Sequence, residues 1–114
     1  MDEKPRFKDD PLYLLLREGR IEEFNKRRKV GETLDLTRSD FRHIDLRGIH
    51  ADGIDFSHCY FHQADLRGVN LRNAKLDGAS INGARISGCY FPDNLSADEI
   101  TLSLVHGTRM RYGK

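Results

Sequence analysis

A chain of 114 residues with 19 basic and 18 acidic side chains carries a formal charge of +1. That balance supplies no bulk field to draw in nucleic acid or to coat an acidic membrane. The length suits one domain near the lower limit for a self-sufficient core, and two cysteines, Cys59 and Cys89, are too few for a disulfide scaffold.

The start "MDEKPRFKDD" has no signal-peptide core. No apolar run reaches the roughly 18 residues that a bilayer span needs, so the expectation is a cytoplasmic protein without a membrane partner. Residues 1–9 read as a disordered tail. A helical segment, 10–33, follows: Asp10–Pro11 opens a helix with proline in its first turn, and Leu12, Leu15 and Leu16 form an i, i+3, i+4 stripe. Gly19 breaks that helix, and Ile21 and Phe24 suggest a second short one ending near Gly31. The run Lys26-Arg27-Arg28-Lys29 reads as a solvated helix end, where positive charge offsets the dipole. Its alternative use is a weak grip on nucleic-acid phosphate.

From Leu34 to Asp93 the chain divides into twelve unbroken pentads: LDLTR, SDFRH, IDLRG, IHADG, IDFSH, CYFHQ, ADLRG, VNLRN, AKLDG, ASING, ARISG, CYFPD. The third place is always apolar: Leu36, Phe41, Leu46, Ala51, Phe56, Phe61, Leu66, Leu71, Leu76, Ile81, Ile86, Phe91. The first place is small or apolar except at Ser39. Six glycines, Gly48, Gly53, Gly68, Gly78, Gly83 and Gly88, stand at the fifth place. Period five fits neither the 3.6 of a helix nor the 2 of a strand. Two inward residues separated by one outward residue, then two at a corner, make one short side of a solenoid.

These pentads resemble the pentapeptide repeat family, whose usual form is A(D/N)LXX; ADLRG at Ala64–Gly68 fits outright, and VNLRN, AKLDG and IDLRG come close. The resemblance implies a mainly β chain, a right-handed quadrilateral β-helix with four pentads per coil, and hence about three coils in which residues twenty apart stack. Asp45–Gly48 then lies one turn from Asp65–Gly68 on the same wall. The expected core is Phe41, Leu46, Phe56, Phe61, Leu66, Leu71, Leu76, Ile81, Ile86 and Phe91, with Cys59 and Cys89 as buried thiols and Ser39 hydrogen-bonded to backbone. Ile49 is expected to make up some of the bulk that Ala51 lacks.

Each end of such a tube exposes unpaired backbone, so both flanks are expected to cap it. At 94–114, "SADE" (Ser96–Glu99) reads as a capping box opening a helix that runs to about His106 and is closed by Gly107. Its apolar residues Ile100, Leu102, Leu104 and Val105 span more than one stripe, enough to cover a coil and meet a partner subunit.

Relatives that inhibit DNA gyrase are long acidic β-helices. Here the repeats hold eight Asp against seven Arg and Lys, and three coils give only about 15 Å of length. His43, His50, His58 and His62 do not converge into a ligand set on the expected walls, and no nucleophile, base or phosphate loop assembles. No enzyme, cofactor or metal is expected. The reading is a non-catalytic protein–protein interaction module, with Tyr60, Tyr90, Ile100 and Leu104 as candidate contacts and a homodimer through the C-terminal end. The alternative is a nucleic-acid-linked regulator, either a DNA-mimic inhibitor of a topoisomerase or a weak DNA binder through Lys26–Lys29.

Overall fold

The computed structural model describes residues 6, 9–29 and 35–113. Two helices precede the repeats, α1 (Pro11–Arg17) and α2 (Ile21–Lys29), and one follows, α3 (Ala97–His106). Between α2 and α3 the chain returns to register every twenty residues. Parallel bridges join Asp40 to Tyr60 to Ser80, Asp45 to Asp65 to Arg85, Asp55 to Lys75, and Asn70 to Tyr90. These define four faces, named here for Asp55, Tyr60, Asp65 and Tyr90. The repeats thus form a β-helix, although each face is held by single-residue bridges and the described residues contain no continuous strand.

The pentad chemistry explains the coil. The second-place carboxylate or amide accepts the fourth-place backbone N–H: Asp45 Oδ1 from Arg47, Asp65 Oδ1 from Arg67, Asn70 Oδ1 from Arg72. The first-place N–H of the next pentad then donates to the third-place carbonyl, as Ile49 does to Leu46 at 3.1 Å and Val69 to Leu66 at 3.0 Å. This closes a four-residue turn whose third residue is the fifth place, and the turn type with positive φ there favours glycine. Gly48 and Gly68 have φ of 86° and 75°. Arg38, His43, His58 and Gln63 occupy the same left-handed region without being glycine, with φ of 57–65°.

Inward residues fill the tube. Phe41, Phe56 and Phe61 are buried; Phe41 and Phe61, one coil apart, stack with centroids 5.4 Å apart, and Tyr13 of α1 adds a ring 5.5 Å from Phe41. Leu46, Leu66, Leu71, Leu76 and Ile81 are likewise buried. Two expected core residues differ: Ile86 and Phe91 are only partly buried, because no further coil lies beneath the last turn. Cys89 shares that position, whereas Cys59 is buried and donates its thiol to the Leu36 carbonyl at 2.9 Å. Ser39 is fully buried, but its hydroxyl lacks the expected backbone bond and any other partner among the described residues.

Two further expectations change. The tail expected to be disordered over 1–9 is ordered at Arg6, which bridges Ser39 and bonds the Arg38 carbonyl and the Asp40 N–H, both at 2.9 Å; residues 1–5 and 7–8 lie outside the described residues. The capping box closes on one side only. Ser96 Oγ accepts the Glu99 N–H at 3.2 Å, while the Glu99 carboxylate accepts the Arg111 N–H at 2.9 Å. The tail after α3 doubles back beside that helix and takes the carboxylate away from the cap.

Candidate interaction surface

The two ends of the tube are closed by different means. At the first coil, side chains of α1 and α2 reach backbone that a preceding coil would otherwise pair. Tyr13 Oη donates to the Asp40 carbonyl at 2.8 Å and Arg17 to the same oxygen at 3.2 Å. Asn25 donates to the Gly48 carbonyl at 3.0 Å and accepts the His50 N–H at 2.9 Å. Arg28, from the basic run, donates to the carbonyls of His50 and Asp52 at 2.9 and 3.1 Å. This arginine serves the fold.

At the last coil the described residues close two faces. Leu76 N–H donates to Tyr112 Oη, Ile81 N–H to Ser103 Oγ, and Gly83 N–H to the Leu104 carbonyl. Met110 pairs with both Gly78 and Ala79 at 2.8 Å, in the position a next coil would take. On the Asp65 and Tyr90 faces the N–H groups of Ile86 and Phe91 and the carbonyls of Ala84 and Cys89 have no hydrogen bond among the described residues. Ile86, Cys89 and Phe91 show apolar surface at that same edge. Burial pushes the Cys89 thiol up to about 12, so it is an unreactive thiol at neutral pH.

The candidate contacts separate by position. Tyr90 is 52% exposed, with the Arg72 guanidinium 4.4 Å from its ring centroid. Tyr60 is held within the molecule: Arg109 donates to its hydroxyl at 2.6 Å and lies 5.2 Å from its ring centroid. Ile100 and Leu104 pack against the core, and α3 instead presents Leu102 and Val105, 43% and 60% exposed. The apolar spacing of α3 was legible in sequence; which stripe faces out depends on how the helix lies under the last coil.

The histidines do not gather. His62 Nε2 lies 3.0 Å from Ser80 Oγ, whose proton goes to the Gly107 carbonyl, so the ring nitrogen is the donor. Burial, then the Arg42 charge, lowers the His62 pKa. Among the described residues no group of three or more His, Cys, Asp or Glu stands close enough to hold a metal. No helix there is long and apolar enough to cross a membrane.

The Asp65 face carries interleaved charge. Arg47 bridges Asp45 at 2.7 Å and Asp65 at 3.4 Å, and Arg67 closes on Asp65 at 2.7 Å. The Arg67 hydrogen bonds hold the Asp65 carboxyl down at about 2. Arg47 likewise holds Asp45 below the usual carboxylate range. Asp40 is disfavoured as an anion by burial, but the Arg42 side chain and N–H outweigh that and keep its carboxyl low. Below this ladder Arg85 has no carboxylate in ion-pair range among the described residues.

Among the described residues the ladder is broken at the upper step of the Tyr90 face. Leu71 and Tyr90 keep the ladder at the lower step of the Tyr90 face, but no backbone hydrogen bond joins 49–52 to 69–72, and Gly53 N–H turns to the Asn73 carbonyl. Ile49 and Ala51 are both buried there, yet a cleft of about 330 Å³ opens between Ile49–Asp52 and Asn70. An alanine tip above a leucine tip sets the two backbones at different distances from the axis, which a flanking isoleucine does not correct.

Residues 54–91 match the family model described as pentapeptide repeats, in eight copies. The earlier pentads, with Ser39, His50 and Ala51 off the usual pattern, lie outside that match but keep the same twenty-residue register at Asp40 and Asp45. No curated protein and no solved structure matches the chain.

Proposed function

The chain belongs to the pentapeptide repeat family, and from that premise we propose that it works as a non-catalytic protein–protein interaction module whose first partner is a second copy of itself. The architecture inferred for the repeats is a right-handed quadrilateral β-helix of about three coils, capped by α1 and α2 at one end and by α3 at the other. The protein is inferred to act in the cytoplasm.

The observation that carries this reading is the half-open C-terminal end. Tyr90, Leu102 and Val105 are exposed, and Ile86, Cys89 and Phe91 of the last coil are only partly buried, where a full cap would bury them. The first coil is tied at Asp40, Gly48, His50 and Asp52 by Tyr13, Arg17, Asn25 and Arg28. It is open beside Asp45, where α2 stands off to leave a cleft of about 520 Å³ lined mainly by charged side chains. Apolar surface beside unpaired backbone is costly in water and favours association.

The nucleic-acid reading has less support. A phosphate mimic needs free carboxylates, and Asp40, Asp45 and Asp65 are each clamped by an arginine. Sedimentation equilibrium of the full chain tests the proposal, with a mass of two 13.1 kDa chains expected. A salt-dependent titration with duplex DNA tests the rival, and a steep loss of affinity with salt would favour it.

A further inference from the structure

The uncovered edge of the last coil is self-complementary. On the Asp65 face the groups without a hydrogen bond among the described residues are the Ala84 carbonyl and the Ile86 N–H; on the Tyr90 face they are the Cys89 carbonyl and the Phe91 N–H. In each case an acceptor is followed two residues later by a donor on the same edge, flanking one outward residue, Arg85 or Tyr90. An antiparallel bridge needs this arrangement, with the acceptor before each paired residue facing the donor after the other. The edge therefore matches itself when reversed about a two-fold axis between Ser87 and Gly88, at the corner where the two faces meet.

We propose that two copies join there, edge to edge, with Arg85 of one opposite Tyr90 of the other. This rests on the reading that the C-terminal end joins two copies, and adds its register. Ala84 C=O then accepts from the partner's Phe91 N–H, and Ile86 N–H donates to the partner's Cys89 C=O; the two-fold axis repeats both bonds. Side-chain chemistry agrees. Among the described residues Arg85 has no carboxylate in ion-pair range, and Tyr90 already accepts one guanidinium, Arg72, against its ring. A cation set across from an aromatic ring is a favourable cross-strand pair. The fold fills such edges elsewhere with extended chain, Arg6 against Ser39 and Met110 against Gly78 and Ala79. The closure also covers Ile86, Cys89 and Phe91, and brings the exposed Leu102 and Val105 of each α3 to the same end.

The test is sedimentation equilibrium on the full chain and on Tyr90→Arg, Arg85→Tyr and the exchange carrying both substitutions, with a thermal melt of each confirming the fold. Either single variant pairs like with like; Tyr90→Arg is expected to raise the dimer dissociation constant about tenfold or more, and the exchange to restore most of it. Amide exchange on the wild type is expected to show Ile86 and Phe91 gaining protection as concentration rises. A dimer that ignores both single variants but dissociates in Leu102→Asp overturns the register and leaves the homodimer standing. A 13.1 kDa species at every concentration overturns both.

Discussion

The His58 imidazole lies directly over Gly78, one coil below it, so that a β-carbon at 78 would fall inside the ring's own envelope. Arg109 holds the arrangement from outside, donating to the Gly78 carbonyl at 3.4 Å with His58 Nδ1 3.5 Å away. Gly78 thus meets two demands, a φ of 78° and room for a ring.

Gly68 separates the two demands. It has a similar φ of 75° with nothing within 4 Å of an added β-carbon. Gly68→Ala should therefore cost only the backbone term, about 1–2 kcal/mol. Gly78→Ala should cost about 2 kcal/mol more in urea unfolding, since the ring must leave a site fixed by Arg109. His58→Ala in the Gly78→Ala background should bring the loss back towards the Gly68 value. Equal losses at both glycines would show that the ring moves freely.

Ser39 gives a prediction of opposite sign. Its hydroxyl is fully buried and unpartnered among the described residues, in the column continued by Cys59 and Ala79. Ser39→Ala removes a desolvated polar group while leaving the methylene contacts, and should stabilise the protein by about 1 kcal/mol. A loss of stability in thermal melts would mean that the hydroxyl is satisfied.

The repeat was readable because one pentad carries its own instructions. Asp45 shows the side-chain acceptor, Leu46 the inward tip, and Gly48 the corner. What sequence did not show depends on neighbours distant in the chain. Arg38, His43, His58 and Gln63 adopt positive φ because stacking on the neighbouring coil fixes the corner, not because the residues prefer it. Arg6 pairs with Ser39 only once the first coil offers an edge, and Glu99 leaves its cap only because Arg111 returns past α3. The same limit applied to the contacts: Tyr60 and Tyr90 share the triplet CYF, and only the path of the C-terminal tail decides that Arg109 takes Tyr60 and leaves Tyr90 exposed.

Asn25 ties α2 to the tube with one amide that satisfies two backbone groups, Gly48 C=O and His50 N–H. Asn25→Ala should cost about 2 kcal/mol, since both partners are left without it at a largely buried position. Asn25→Asp keeps the acceptor for His50 but turns an anion towards the Gly48 carbonyl, and should be no better than alanine. Denaturant unfolding checks both, and a loss below about 0.5 kcal/mol for alanine would show that water replaces the amide.

Stability should fall in two steps as pH is lowered, with the signs set by two kinds of group. His62 has its pKa lowered from 6.5 by burial and by Arg42, so the unfolded chain binds its proton more readily than the folded one. Acidification through 6.5 and below therefore favours unfolding, a step that His62→Gln should remove. Asp65 is held at about 2 against an ordinary 3.8, and Asp40 and Asp45 are lowered in the same direction. Their contribution is complete above 3.8 and is lost as pH falls towards 2, because the unfolded carboxylates protonate first. Asp65→Asn should flatten the acid limb while leaving the His62 step in place. Melting temperatures measured from pH 8 to pH 2 on the three proteins resolve the two steps, and an acid limb unchanged in Asp65→Asn would show that Arg67 does not hold that carboxylate in solution.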